Sequence, residues 1–490
     1  MLDKSSLLQI FSHYRLNHEE NWNLRHTWRR LAHVCRKWRH LIYDSWADLD
    51  ICLLLTNDSP SLDTLSHLPP LPLVIDYPDT TTKTTTRTTA RKDEDNIHLG
   101  LQQHGRVRRI VLRAPSLSLR MWLEQMNKPF PRLADLSLLS TTTEEMGLVL
   151  PDTLQAPDLR RLSLHGIGLP KGLSLFSSMI SLSTLSFTHI QDFWYFSRGN
   201  LFTQLQGLPH LEELSIGFAI SMLPSSEGEL LPAPIPPVTL PALRRLTFRG
   251  EDVHLDNLIA QINTPLLERL SLTLFFDLAF NFMNLTEFIH RTVGSERLVA
   301  RVIFNKDGAS IDAGPHEQRG IWKLNLHVNC KSLDWQIDSA TQVCGALGNV
   351  LSAIEELTID LDVDGMPSDW ESRLDSMLWH DLLLPFIAVK RLRLTSSLTL
   401  SQALESVVGG LALEVLPELQ ELEVQLDMRH LTSLIHRADK VFSAFVESRK
   451  SVGRPVHLLA IPIPGRQKPK QDRAHLRGSH DAQGFFLRAS

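Results

Sequence analysis

A short apolar pattern recurs along most of this chain and limits what it can fold into. Between residues 107 and 424, twelve copies place apolar residues at the first, fourth and sixth positions of a six-residue stretch. One such unit cannot bury its own apolar face, so the recurrence predicts stacked units that share a continuous core. The copies begin at Val107, Leu133, Leu159, Leu182, Leu211, Leu243, Leu267, Val299, Ile321, Ile354, Val389 and Leu419.

The spacing of the copies indicates the kind of unit. Successive copies start 22 to 35 residues apart, with an average of about 28, near the upper end of leucine-rich repeats. The last two apolar positions of each copy are two residues apart, which is typical of a strand with one buried face. We therefore expect an α/β fold: a short N-terminal helical module, then an irregular leucine-rich-repeat solenoid, or horseshoe, with a parallel strand face. The copies at Val299 and Ile321 are the weakest.

Composition and length exclude several classes of protein. At 490 residues the chain exceeds one compact core, whereas a solenoid has no such ceiling. Its four cysteines, without a C-x-x-C pair, argue against a disulfide framework. The first residues lack the features of a secretory signal, and the sequence has no apolar run of about 18 residues. These observations predict a protein of the cytoplasm or nucleus, without a membrane span.

Composition also divides the chain into four zones. Residues 1–50 are predicted to form a helical module, and residues 96–455 the repeat array. Residues 51–95 form a predicted connector in which eight of the ten residues at 80–89 are threonine, so we expect a mobile loop there. Residues 456–490 are proline-containing and basic, which predicts a disordered tail. This tail is either solubilising or an address for the nucleus or an anionic surface.

The N-terminal zone holds more large apolar residues than a module of this size buries alone. One predicted helix contains Leu7, Leu8, Ile10 and Phe11, and a second carries a stripe at three- and four-residue steps. That stripe consists of Leu31, Val34, Cys35, Trp38, Leu41 and Ile42. We expect Cys35 to be a small packed residue of this stripe rather than a reactive thiol.

These residues resemble a known family. Leu7-Leu8-Gln9-Ile10-Phe11, followed by Trp28-x-x-Leu31-x-x-Val34-Cys35-Arg36-Lys37-Trp38-Arg39-x-Leu41-Ile42, is similar to an F-box. The stretch that continues to about residue 78 resembles the linker of F-box leucine-rich proteins from mushroom-forming fungi. The Leu-Pro that opens the family's first helix is absent, and Met1-Leu2-Asp3-Lys4 stands there. Asp3 or Ser5 can still cap that helix.

The resemblance implies a function. F-box helices dock on a Skp-type adaptor of a cullin–RING ubiquitin ligase, and the repeats capture the protein to be ubiquitinated. Carried over by position, the expected adaptor-binding and core residues are Leu7, Leu8, Ile10, Phe11, Val34, Cys35, Trp38 and Ile42.

The sequence argues against three other kinds of site. His26, His33 and His40 are seven residues apart, or about 10.5 Å along a helix, too far to share a metal ion with bonds of about 2 Å. The basic residues between Arg25 and Arg39 favour a solvated surface over nucleic acid, because both tryptophans are accounted for by the apolar stripe or its edge. The chain contains no recognisable nucleotide, nucleophile or metal motif, so we expect neither an enzyme nor a cofactor.

The repeat strands suggest a client-binding surface. Side chains beside the apolar positions are expected on the concave face, and those of the sixth to ninth copies are basic although the chain carries a net charge of −5. We hypothesise that an acidic or phosphorylated client segment binds there, because arginine gives carboxylate and phosphate forked donors. A solvated face with incidental charge is the alternative. The residues concerned are Arg245, Arg249, Arg269, Arg301 and Lys323.

The sequence therefore predicts a substrate receptor of an SCF-type ubiquitin ligase. Two alternatives stay open at this point. One is a leucine-rich scaffold or interaction protein with a degenerate F-box, and the other is a binder in which residues 1–50 only cap the array.

Overall fold

The computed structural model of the protein describes residues 3–16, 27–46, 49, 51–55, 70–77, 87–142, 148–170, 176–190, 200–219, 237–275, 279–280, 282–293, 298–315, 323–361, 376–395, 414–427 and 434–463. The helices are α1 Lys4–Leu16, α2 Thr27–Val34, α3 Arg36–Asp44, α4 Arg87–Gln102, α5 Ser116–Leu123, α6 Asn200–Gln206, α7 Asp252–Ala260, α8 Met283–Val293, α9 Leu333–Ala346, α10 Gly348–Leu351, α11 Ser376–Leu383 and α12 Leu434–Ser451, with a 3-10 turn at Phe176–Ser178.

The strands are β1 Leu53–Leu55, β2 Leu73–Tyr77, β3 Val107–Ala114, β4 Asp135–Ser140, β5 Leu148–Val149, β6 Arg161–His165, β7 Ile167–Gly168, β8 Thr184–Ile190, β9 Glu213–Phe218, β10 Val238–Thr239, β11 Arg245–Gly250, β12 Ile262–Asn263, β13 Arg269–Phe275, β14 Leu298–Asn305, β15 Gly308–Pro315, β16 Leu324–Asn329, β17 Ile354–Leu361, β18 Arg391–Leu394, β19 Glu421–Asp427 and β20 His457–Ile463.

Sixteen of these strands form one sheet. Its order is β1-β2-β3-β4-β6-β8-β9-β11-β13-β16-β15-β14-β17-β18-β19-β20, and all neighbours pair in parallel except β16 with β15 and β15 with β14. β5 pairs with β7, and β10 with β12, in two short parallel ladders. The predicted α/β fold with a parallel strand face is confirmed at this level.

The apolar pattern makes the core. In ten of the twelve copies all three apolar positions are buried, and equivalent positions lie side by side across the ladders, as Leu136, Leu162 and Leu185 do. Helix residues such as Leu119, Leu255 and Ile337 belong to the same cluster. The helices therefore cover one face of the sheet, and the side chains between the apolar positions lie on the other, which we call the open face.

The middle of the sheet departs from the repeating pattern. β14, β15 and β16 form an antiparallel meander, and the chain places them in reverse order between β13 and β17. The copy predicted at Val299 is wrong, because Leu298 and Ala300 are buried while Val299 is only half-buried on the other side of the strand. Ile321 lies outside the described residues.

Two of the predicted boundaries need correction. The connector contributes β1, β2 and part of α4 to the fold, and Leu53, Leu73 and Ile75 are buried in the main core. Helix α4 begins at Arg87, so it includes the last residues of the threonine-rich segment; residues 78–86 lie outside the described residues. The short apolar strands of the connector were not predicted, because they are surrounded by prolines and threonines.

The predicted tail is also shorter than expected. Residues 457–463 form β20, which pairs with β19 along its whole length. Pro462 has no backbone N–H to donate. It is tolerated because β20 is an edge strand of the described sheet, and no ladder hydrogen bond is lost on its unpaired edge. The remaining predicted tail, 464–490, lies outside the described residues.

The N-terminal helices have a small core of their own. It is separate from the main cluster and is formed by Leu7, Phe11, Ala32, Leu41, Ile42, Leu49, Ile51 and Leu71. The single helical stripe predicted from Leu31 to Ile42 is wrong, because the helix breaks at Cys35. This residue has an extended backbone (φ −158°, ψ 166°), and its Sγ accepts a hydrogen bond from the Trp38 backbone N–H at 3.4 Å.

Candidate functional site

The residues predicted to bind an adaptor divide into two groups. Leu7, Phe11 and Ile42 are buried in the small core, with Leu8 and Trp38 packed against it. These five side chains hold the three helices together, and the Trp38 ring meets that of Phe11 edge-on at 4.9 Å.

The other three predicted residues face solvent. Val34 is 60% exposed and Ile10 is 46% exposed, and Cys35 is exposed at the helix break. The expectation that Cys35 packs into an apolar stripe is therefore wrong, because its thiol caps α3 instead. Ile10 and Val34 are the apolar residues of this group available to a partner.

The first helix is capped by Asp3, one of the two capping residues that the sequence offers. Asp3 Oδ1 accepts a hydrogen bond from the Ser6 backbone N–H at 2.7 Å. Hydrogen bonds from the Ser6 backbone and hydroxyl lower the pKa of Asp3. The helix therefore begins with a cap although the family's Leu-Pro is absent.

The open face of the sheet carries three parallel rows of side chains. The middle row is a run of small hydroxyl residues, in which Ser137, Ser163, Ser186, Ser215, Thr247 and Ser271 lie side by side. Charged residues form the row at the start of the strands, and imidazole, guanidinium and hydroxyl groups lie at the other end. The face therefore has a low floor between two polar rows.

Acids and bases alternate through much of the first row. Asp135 Oδ2 lies 3.3 Å from Arg109 Nε and 3.2 Å from Arg161 Nη2, and Arg245 pairs with Glu213. Further along, Arg391 bridges Glu356 at 2.7 Å and Glu421 at 2.9 Å. Such partly exposed pairs set the pattern of charge more than the stability of the fold.

The structure brings together four of the five predicted client-binding residues. Arg245 and Arg269 are direct neighbours on β11 and β13, and Lys323 precedes the adjoining β16. Arg249 lies on the same face of β11, with its Cζ 5.9 Å from the centre of the Phe275 ring.

Arg301 does not belong to this group. The reversed order of the meander places β16 and β15 between its strand and β13, which separates them by about 14 Å at ordinary strand spacing. Arg301 pairs with Asp360. The basic surface is therefore confined to Arg245, Arg249, Arg269 and Lys323, and Glu213 borders it.

Three histidines at the ends of strands on the open face, His165, His189 and His327, have lowered pKa values. Burial, together with the charges of His189 and Arg249, lowers the pKa of His165 to about 4. Burial and Arg249 also lower the pKa of His189. His327 has a lowered pKa for the same two reasons, opposed by a hydrogen bond to Asn329 and the charge of Asp307. At neutral pH these imidazoles are uncharged, and Arg249 is the cation among them.

The sequence pointed to some of these residues and not to others. His165 stands at the motif position expected on the concave face. His189 has no such signal, because it owes its position to an irregularity in the strand that the apolar pattern does not encode. His327 was missed because the meander was not predicted.

Comparisons with known proteins add no relative. No protein-family model matches the chain, and a search of curated proteins finds no match.

The part of the chain that the structure describes shows neither a metal-binding cluster nor a helix suited to a membrane. There, no three His, Cys, Asp or Glu side chains are grouped so as to hold a metal ion. None of the helices there is both long and apolar enough to cross a membrane.

Proposed function

We propose that this protein is the substrate-receptor subunit of an SCF-type cullin–RING ubiquitin ligase. The observation that carries the proposal is the exposure of Ile10 and Val34 on a helical module with its own core. Exposed large apolar residues on so small a module are suited to contact with a partner protein. The F-box-like sequence of the same helices supports a Skp-type adaptor as the partner.

The rest of the chain is proposed to be a leucine-rich-repeat solenoid that binds the client. Support comes from the parallel strands in chain order on both sides of the meander, and from the regular burial of the apolar motif. The open face offers a floor of small hydroxyl side chains beside the basic residues Arg245, Arg249, Arg269 and Lys323. An acidic or phosphorylated segment is complementary to that surface.

The proposed mechanism is tethering, in the cytoplasm or nucleus. The helical module holds the adaptor while the open face holds the client, so a client lysine is raised in effective concentration near the ubiquitin-conjugating enzyme. The chain itself contributes no catalytic side chain. A scaffold with a degenerate F-box would share the open face and lack the adaptor.

The experiment that tests the proposal measures adaptor binding by the full chain. Purified Skp-type adaptor should bind the native protein, and Val34→Asp or Ile10→Asp should weaken binding by at least about tenfold, because a charge would be buried in an apolar contact. Both variants should keep the native circular dichroism spectrum, since both residues are exposed.

Val253→Asp is the matched control. Val253 is 54% exposed on α7, outside the N-terminal module, so this variant should bind the adaptor as the native chain does. If the native full chain does not bind a Skp-type adaptor, the scaffold alternative replaces the ligase proposal.

A further inference from the structure

A bulge in β8 places two histidines together on the open face. β8 and β9 pair through Phe187–Ile216 and then through Ile190–Phe218, so Thr188 and His189 together oppose Gly217. His189 adopts a left-handed backbone (φ 58°), which is uncommon and costly for a residue other than glycine. Bulges of this kind re-aim a side chain.

The result of the bulge is a stacked pair of imidazoles. The rings of His165 and His189 lie 5.1 Å apart with 16° between their planes. His165 Nδ1 is hydrogen-bonded to the Thr188 hydroxyl at 2.9 Å, which fixes one side of its ring. The fold therefore holds the His165 ring, and the His189 ring stacks against it.

A glycine lies between an arginine and the strand that carries His189. Arg249 on β11 is the ladder partner of Gly217, which separates it from β8. Gly217 is buried in the middle of the sheet although it has no side chain, so neighbouring side chains lie over it. The charge of Arg249 acts on both His165 and His189 across this position.

The described part of the cluster combines one guanidinium with two imidazoles. Among the described residues no carboxylate forms an ion pair with Arg249, whereas Arg245 on the same strand pairs with Glu213. The charges of His189 and Arg249 act on His165, and the charge of Arg249 acts on His189. An oxyanion placed among them would accept hydrogen bonds from the guanidinium and favour the protonated imidazoles.

We propose that His165, His189 and Arg249 form a binding site for a phosphate monoester on the open face of the sheet. The planar guanidinium supplies forked donors to two phosphate oxygens, and the imidazole N–H groups reach the others. The site deepens the proposed receptor function, because a phosphate carried by a client would be held here. Its test uses small probes, so its failure and the failure of adaptor binding are separate outcomes.

Histidine NMR of the full chain tests the site directly. The protein is labelled with ¹³C in the histidine rings and titrated with inorganic phosphate, with O-phosphoserine and with chloride at equal ionic strength. The resonances lost in His165→Gln and His189→Gln assign the two rings. Both phosphate probes should move these resonances to saturation and raise the apparent pKa of His165, whereas chloride should not.

Two variants of one strand separate a specific site from general attraction. Arg249→Gln should weaken phosphate binding about tenfold or more, because a charged hydrogen-bond donor is lost. Arg245→Gln removes one positive charge from the same strand and face, and should change the affinity less than about twofold. Equal weakening in both variants, or absence of a saturable shift in the native chain, would overturn the proposal.

A third variant changes shape without changing charge. A Cβ at Gly217 would meet Thr188 Cγ2 at 3.5 Å and Arg249 Cβ at 3.7 Å, so Gly217→Ala should fold and bind phosphate as the native chain does. Gly217→Leu should displace Arg249 from the imidazoles and reduce phosphate affinity to the level of Arg249→Gln. Native affinity in a folded Gly217→Leu protein would contradict the assigned geometry.

The two phosphate probes also distinguish the source of the ligand. Tighter binding of O-phosphoserine than of inorganic phosphate supports a phosphate carried on a protein side chain. The reverse order supports the same site as one for free phosphate.

Discussion

Arg449 is a charged side chain with no exposed surface, and its surroundings explain how it is accommodated. From α12 its guanidinium donates to the backbone carbonyls of Val415, Leu416, Pro417 and Leu419, at 3.1 to 3.5 Å. These carbonyls belong to the turn before β19, so one side chain supplies the donors of that buried turn. A buried arginine is tolerated when it is hydrogen-bonded in this way.

Replacement of Arg449 should therefore be costly. Arg449→Met fills similar volume but leaves the buried carbonyls without donors, and should lower the free energy of unfolding in urea by about 2–3 kcal/mol. Arg454→Met removes one hydrogen bond from an exposed side chain to the Pro417 carbonyl, and should cost less than about 0.5 kcal/mol. Equal losses in the two variants would show that the buried hydrogen bonds contribute little.

His254 is a second single residue with a marked effect, because it makes the stability of the fold depend on pH. Burial lowers its pKa to about 4, although Glu251 Oε2 lies 3.9 Å from its Nδ1. Because the unfolded chain then binds a proton more readily, stability falls as the pH is lowered from about 6.5 towards 4. For this group alone, the loss at pH 5 is at most about 2 kcal/mol.

The prediction for His254 is a flatter pH profile on substitution. His254→Gln cannot titrate, so its free energy of unfolding should fall less than that of the native chain between pH 7 and pH 5. Parallel profiles for the native and His254→Gln proteins would contradict the assignment.

The helix break at Cys35 shows what the sequence pattern could not predict at the scale of elements. Leu31, Trp38 and Leu41 fit a continuous helical stripe, and the spacing alone does not reveal where the backbone leaves the helix. Cysteine is a weak capping residue, so no start signal marks α3. The strands were easier to predict, because the same apolar positions recur in neighbouring copies and lie side by side in the sheet.

Substitution of Cys35 distinguishes a helix break capped by Cys35 from one continuous helix. With Cys35 as the cap, Cys35→Ser should keep α3 intact, and Cys35→Ala should weaken it by about 1 kcal/mol, or about fivefold in amide protection. Hydrogen–deuterium exchange of peptides covering residues 27–44 measures this. A continuous helix would give the opposite order, since alanine has the higher helix propensity.

The meander depends on a tight approach between two of its strands. Gly308 begins β15 opposite Asn329, and a Cβ there would overlap the Val328 carbonyl oxygen. The repeat pattern predicted a regular unit at Val299 because Val302 and Phe304 satisfy its last two positions. The antiparallel return of β15 has no counterpart in that pattern, which is why its position and the displacement of Arg301 were not foreseen.

Two alanine substitutions test this packing. Gly308→Ala should destabilise the chain by at least about 2 kcal/mol, because backbone must move to relieve the overlap. Gly345→Ala, at an exposed position of α9 with open space around it, should be neutral or stabilise by up to about 1 kcal/mol. Urea unfolding measures both, and similar free energies for the two variants would argue against the close contact in the meander.

At the scale of the whole molecule, two hydrophobic clusters divide the chain. The helices α1 to α3 surround the small one, and the sheet with its other helices surrounds the large one. The sequence predicted a helical module at 1–50 separate from the repeat array, but it placed β1 and β2 in a connector. Their strands are short and interrupted by proline-rich sequence, so they lack the motif that marks the others.

The division into two clusters also predicts how substitutions should affect the proposed receptor. Adaptor and client would be held by different clusters, so damage to either surface should leave the other intact and still stop client turnover. The two classes of variant should therefore give the same cellular outcome for different reasons.

The most direct measurement compares protein half-lives in cells that carry the native chain, Val34→Asp, or the triple variant Arg245→Glu, Arg249→Glu, Arg269→Glu. The proposed receptor function predicts that the same proteins are stabilised in both variants, with adaptor binding lost only in Val34→Asp. Disjoint sets of stabilised proteins, or no stabilisation in either variant, would contradict the claim that one chain links an adaptor to a client.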